Sequence, residues 1–254
     1  LPALAGTVIG SAAETERFLY DYRQTLAELM SDMHYKTVAE VARENGMTVY
    51  GEALEDKRPL LGDDLAMRRH ADVPMAALWT FANGAPVRTT LVGDMKGAAS
   101  VAHVYGKRFV AAESMTSVNS PWDFAPKDLK PFIDLEFVSG INRPVIHTSV
   151  HQPRDDMQPG LSLAIFGQYF NRHESWASLA RPWVDYISRT SYLLQQGHNV
   201  AEVAWFIGEE SPVTALFAET FPTNLPKVHA YDFVNAQMLA EAIKSDGSDV
   251  VTDG

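Results

Sequence analysis

A chain of 254 residues, 46% hydrophobic and 21% charged, holds enough apolar side chains for a sizeable core, which excludes disorder and favours one continuous unit. The net charge of −11 argues against nucleic acid or an anionic membrane as partner, because both demand clustered Lys and Arg, while a neutral ligand such as a sugar stays compatible. With no cysteine the chain has no disulfide, thiolate metal site or cysteine nucleophile, and no apolar run approaches the roughly 20 residues of a membrane span.

The chain opens on LPALAG without an initiator Met, as expected of a processed or excised piece. Ser11 followed by Glu14 fits a capping box, and Phe18, Tyr22, Leu26, Leu29 and Met33 recur near the 3.6-residue period, so a first helix is expected. A second helical pattern through Val38 and Val41 stops at Asn45 and Gly46, and MTVYGE follows as a strand. The charged segment from Leu54 to Pro74 reads as a long functional loop carrying Glu55, Asp56, Asp63 and Asp64. Asp94 is placed to cap a helix through Val104. RFVAAE then reads as a strand, PKDLKPFIDLEFVSG as a helix ending at Gly140, and PVIHTSV as the next strand. A helical region from His173 to Gln196, kinked at Pro182, stops at Gly197 before the strand AEVAWFIG, and the tail after Lys244 is expected to fray.

Short buried strands separated by longer helices imply parallel pairing with right-handed crossovers. No GxGxxG or GxxxxGK[ST] follows any strand, which leaves the nucleotide-binding open sheet without support. The expected fold is α/β, a (β/α)8 TIM-like barrel. Only four or five βα units are legible, so it is read as incomplete, with N-terminal strands missing.

Parallel barrels present functional groups where their strands end. Glu113 ends the apolar run of RFVAAE, where partial burial suits a carboxylate to base or nucleophile work; pairing with a nearby Arg is the plainer alternative. Glu52 follows MTVYG in the same way, after a glycine that permits close backbone approach, and pairing with Arg58 competes with a role in binding. His147 and His151, four apart in HTSVHQP, fall on one side of an extended chain and suit joint hydrogen bonding to sugar hydroxyls, with metal ligation or a structural role in the core as the alternatives. Trp122 in NSPWDF is a candidate platform for a sugar face, Trp79 is a weaker one, and Trp176 and Trp183 suit core packing. Ser-His-Asp catalysis lacks a GxSxG elbow.

At GMTVYGEALED, SVAHVYGKRFVAAESMTS and GINRPVIHTSVHQP the sequence resembles glycoside hydrolase family 106, the α-L-rhamnosidases. LPALAG, RFLYDYRQTLAEL, the PG at Pro159 and Gly160 and the YLLQQG helix extend the likeness over most of the chain. The resemblance implies that residues 1–244 are part of a glycosidase catalytic barrel, with residues 245–254 a tail. It implies an inverting hydrolase releasing terminal rhamnose from glycosides or polysaccharides, with calcium at the sugar site, in a periplasmic or extracellular setting. By the same resemblance Glu113 is the general base; Glu52, His147, His151 and Trp122 are expected from their own positions to contact substrate, and the metal ligands stay unassigned. The general acid is expected upstream of residue 1 because no DSWE-like motif occurs here, and the parent protein's remaining domains become partners of this chain. Two alternatives stand beside it. One is a retaining barrel glycosidase of the β-galactosidase type, with its carboxylates about 5 to 5.5 Å apart instead of about 6.5 to 9.5 Å. The other is a carbohydrate-binding portion without turnover.

Overall fold

The computed structural model describes residues 1–55, 57–80, 86–118, 122–168, 170–217, 222, 224–245, 247 and 250–252. The Ser11 hydroxyl accepts the Glu14 N–H and donates to its carboxylate, so the expected cap starts a helix over Ala12–Leu29 (α1). The helix continues through a π-helical stretch, Met30–Lys36, into Thr37–Glu44 (α2), and Gly46 ends it with φ 71°. The apolar stripe that announces this helix points outward. Phe18, Tyr22, Leu26, Leu29 and Met33 are all exposed, whereas small and polar residues such as Thr15, Ser31, Ala39 and Ala42 face inward. Periodicity identifies a face, not what covers it, and no cover lies among the described residues.

Four parallel strands in the order β1-β2-β3-β4 form the central sheet: Tyr50–Gly51, Val73–Trp79, Ala111–Thr116 and Arg143–Ile146. The segment expected to be a long loop contains ordered structure. Asp63 accepts the N–H groups of Leu65 and Ala66 and caps a short helix, Asp64–Arg68 (α3), which leads straight into β2. VPMAALW escapes sequence reading as a strand because it contains Pro74 and shows no alternation, yet it lies at the centre of the sheet and is buried along most of its length. Asp56 lies outside the described residues.

The crossovers are Thr89–Val104 (α4) and Pro126–Val138 (α5). Helix α4 begins five residues before Asp94, which is therefore not a cap but a fully buried mid-helix carboxylate. One side of α4 packs Leu91, Met95, Ala98 and Ala102 against Ala76, Leu78 and Ala112 of the sheet. Its other side meets a second, two-stranded parallel sheet of Val203–Phe206 (β5) and Tyr231–Val234 (β6), joined in this core by Met238 of Ala236–Glu241 (α7). AEVAWFIG does form a strand, but outside α4 and not in line with β4. A helix clad on both sides needs little polar surface, which explains the run of small and aliphatic residues from Gly97 to Ala102.

Helix α5 ends as expected before Gly140, which has φ 101°, and packs through Ile133 and Phe137 on Trp183 and Ile187 of Arg181–Leu194 (α6). Pro182 occupies the first turn of α6, where its missing N–H is harmless, and causes no kink. The expected frayed tail instead pairs back, Ile243–Ser245 (β7) against Val250–Thr252 (β8). Among the described residues no helix is long and apolar enough to cross a membrane.

Among the described residues, helices cover one face of the central sheet and not the other. The other carries Tyr50, which is 41% exposed, Val145, 40% exposed, and Arg143, whose guanidinium lies 5.5 Å from the Tyr50 ring. Parallel sheets are normally clad on both faces, so this open face is the distinctive property of the fold and the place where the site lies.

Candidate active site

Glu113 is the third residue of β3, not its terminus as expected, and pairs with Ala77 on one side and Val145 on the other. Alternation along a strand places it on the open face with Val145, while Ala112 and Ser114 point back into the helices. The alternation then breaks. Met115 adopts φ 67°, the ladder to β2 shifts between Leu78 and Trp79, and the Met115 side chain joins the α5–α6 core. Thr116 consequently returns to the side of Glu113. Its hydroxyl donates to Glu113 Oε1 and also lies 3.2 Å from His147 Nδ1, which is 3.8 Å from that carboxylate oxygen. The side chains of Glu113 and His147 remain 27% and 26% exposed, so this is no closed ion pair.

Glu52 follows β1 directly. Gly51 is needed there because a Cβ would come within 2.9 Å of the Ala71 Cβ. Burial pushes the Glu52 carboxyl up to about 7, and the negative charge of Glu113 adds to the rise, with Asp94 contributing and Arg68 opposing. Arg58, the alternative partner for Glu52, instead bonds Glu55 at 2.8 Å. Glu52 also borders a cavity of about 180 Å³ lined by Tyr35, Met67 and Arg68.

Behind Glu52 lies a buried charge cluster that sequence reading missed. Fully buried Arg68 bonds Asp64 at 2.7 Å and Asp94 at 2.6 Å and donates to the Met75 carbonyl, while Asp94 accepts the Ala77 N–H at 2.9 Å. Burial raises Asp94 to about 7 against the pull of Arg68. The cluster ties α3 and α4 to the backbone of β2 and carries two carboxylates for one cation. Asp64 and Arg68 sit four apart, a spacing that signals a helical ion pair once the segment is read as a helix.

The structure brings Glu113, Glu52 and His147 together and leaves His151 apart. Strand β4 ends at Ile146, so His147 and His151 do not share a strand face; His151 is exposed and has no hydrogen bond or ion pair among the described residues. Trp122 is 37% exposed, on the segment between β3 and α5. Trp79 stands edge-on to Phe166 at 6.0 Å, and Trp176 and Trp183 belong to the α5–α6 core as expected. Thr116 was missed because regular alternation would place it on the opposite face from Glu113. Among the described residues no group of three or more His, Asp or Glu side chains is arranged to hold a metal ion.

A family model described as alpha-L-rhamnosidase, glycoside hydrolase 106, matches residues 1–254. A solved rhamnosidase from Novosphingobium sp. PP1Y is 64% identical with a TM-score of 0.94, over 99% of this chain and 24% of that one. A curated protein of Formosa agariphila named "Putative beta-glucuronidase" is 35% identical over 253 residues, which is 97% of this chain and 20% of that protein. The chain thus spans about a fifth to a quarter of the proteins it matches. With a family model matched from first residue to last and a rhamnosidase superimposing on nearly all of it, the chain belongs to glycoside hydrolase family 106, the alpha-L-rhamnosidases.

Proposed function

We propose that the protein containing this chain is an inverting α-L-rhamnosidase in which Glu113 is the general base. The supporting observation is the placement of Glu113. It sits on the uncovered sheet face with one oxygen tied to Thr116 and beside His147, in a chain 64% identical to a rhamnosidase. A base of this kind takes a proton from water as the water attacks the anomeric carbon, and it must be held within hydrogen-bond reach of that water. Glu113 supplies the acceptor and His147 supplies contacts to sugar hydroxyls, with Trp122 as a platform for the sugar face; His151 stands apart from them. The remaining barrel strands and accessory domains come from the rest of the protein and close over the face that carries Tyr50, Arg143 and Val145.

Turnover of an aryl α-L-rhamnoside tests the assignment in the full-length protein. Glu113→Gln is expected to lose on the order of 100- to 10,000-fold in kcat, the usual contribution of a positioned base. Retained turnover overturns it. Inversion is read from the anomer first formed in NMR; retention of configuration would move the enzyme to the two-step class.

A second reading of Glu52 is favoured by its raised pKa. The general acid is expected elsewhere in the protein, with Glu52 gripping substrate, yet a carboxyl pushed up to about 7 holds its proton near neutrality as a general acid must. Leaving groups separate the two. If Glu52→Gln hydrolyses activated aryl rhamnosides well and unactivated ones poorly, Glu52 is the acid; a loss equal across leaving groups makes it a binding residue. Calcium at the sugar site belongs to the same proposal, but Glu52 and Glu113 alone offer too few oxygens for the six to eight that calcium takes. No step is assigned to the ion.

A further inference from the structure

We propose that Thr116 is a positioning residue, linking His147 to the base and fixing which oxygen of Glu113 faces the attacking water. This deepens the reading of Glu113 as base and rests on it. A threonine hydroxyl has a single proton to give. With that proton donated to Glu113 Oε1, the 3.2 Å contact with His147 Nδ1 is satisfied only when the ring donates, so a ring proton sits on Nδ1. One chain, from His147 Nδ1–H through Thr116 Oγ1–H to Glu113 Oε1, thereby leaves Oε2 to take the proton from water and Nε2 to contact a sugar hydroxyl.

The backbone is built to present this hydroxyl. An unbroken strand would direct residue 116 away from residue 113, and Thr116 reaches Glu113 because Met115 adopts φ 67°, a conformation non-glycine residues rarely take outside functional sites. Both ends of the relay are braced by one segment. The Gly167 N–H donates to the Ser117 carbonyl at 3.0 Å and its carbonyl accepts the Ser117 hydroxyl at 2.7 Å, while Gln168 exchanges backbone bonds with His147 and Thr148. The bulge beyond Glu113 and the exit of β4 are therefore held in fixed relation.

The test uses the full-length protein and an aryl α-L-rhamnoside. Thr116→Val keeps the side chain's shape and removes the hydroxyl, and is expected to lower kcat about 10- to 100-fold with KM within about twofold. Thr116→Ser restores the hydroxyl and is expected to recover activity to within about threefold of the parent. In a Glu113→Gln background, adding Thr116→Val is expected to cost less than about twofold, because the group it positions is gone. The relay is overturned if Thr116→Val retains full kcat, if Thr116→Ser fails like valine while melting at the parent's temperature, or if the two losses multiply. An active Glu113→Gln sinks the base itself; an inactive Glu113→Gln beside a fully active Thr116→Val sinks only the relay.

Discussion

Glu52 keeps a proton near neutral pH because leaving water costs its charged form more than Arg68 returns, and Glu113 adds repulsion. This has a measurable consequence for stability. The unfolded chain releases that proton near 4.5 and the folded chain only near 7, so between these values the folded state binds more protons and stability falls as pH rises, levelling off above 7. A shift of this kind is worth about 1–2 kcal/mol after allowing for partial exposure. Glu52→Gln should remove it. Thermal melts in chelator from pH 5 to 8 are expected to show the parent losing more stability than the variant; parallel curves would mean that Glu52 stays ionised. Asp94 contributes a slope of the same sign to both proteins, so their difference reads Glu52 together with its coupling to Asp94. Arg68 sits behind this balance. Arg68→Met leaves Asp64 and Asp94 buried together without a cation and is expected to cost about 3–5 kcal/mol by denaturant titration at pH 8. The loss should shrink at pH 5, where Asp94 takes up a proton.

At the scale of elements, the sequence is informative wherever local chemistry decides the outcome. The Ser11 cap, the stop at Gly46, the end of α5 before Gly140 and the strands around Glu113 and before His147 are all readable from spacing and turn residues. It is silent where long-range packing decides. The central strand β2 lacks alternation because small side chains on its open face, such as Ala77, are as buried as those packed on α4, α3 hides inside a charged segment, and AEVAWFIG finds its partner in β6 across α4 and not in the main sheet. The candidate site divides in the same way. Glu113, Glu52 and His147 stand next to apolar runs and are visible; Thr116 depends on a bulge and Arg68 on a fold of the chain, and neither is. Gly140 shows how one position serves both levels. It ends α5 at φ 101°, and a Cβ there would lie 2.6 Å from the Ala99 Cβ on α4, so conformation and packing both demand glycine. Gly140→Ala is expected to cost about 2–3 kcal/mol, read as a fall in melting temperature, where a substitution at an ordinary helix end would change stability by less than about 1 kcal/mol.

At the scale of the whole chain, two apolar or mixed surfaces lack cover among the described residues: the sheet face around Glu113, and the outward stripe of α1 from Phe18 to Met33. In a closed barrel the first becomes the interior and the second packs on neighbouring helices. One physical rule links them, since a parallel sheet and an amphipathic helix each need a partner for their apolar side. If the rest of the protein supplies both partners, residues exposed here are buried there. Phe18→Ser and Leu26→Ser should then each destabilise the full-length protein by about 2–4 kcal/mol, the cost of truncating buried side chains, instead of the few tenths of a kcal/mol typical of a surface position. Denaturant titration of the full-length variants measures the difference. Losses below about 0.5 kcal/mol at both positions would show that the stripe meets solvent in the intact protein, and completion of a barrel around this sheet would then need a different arrangement of α1.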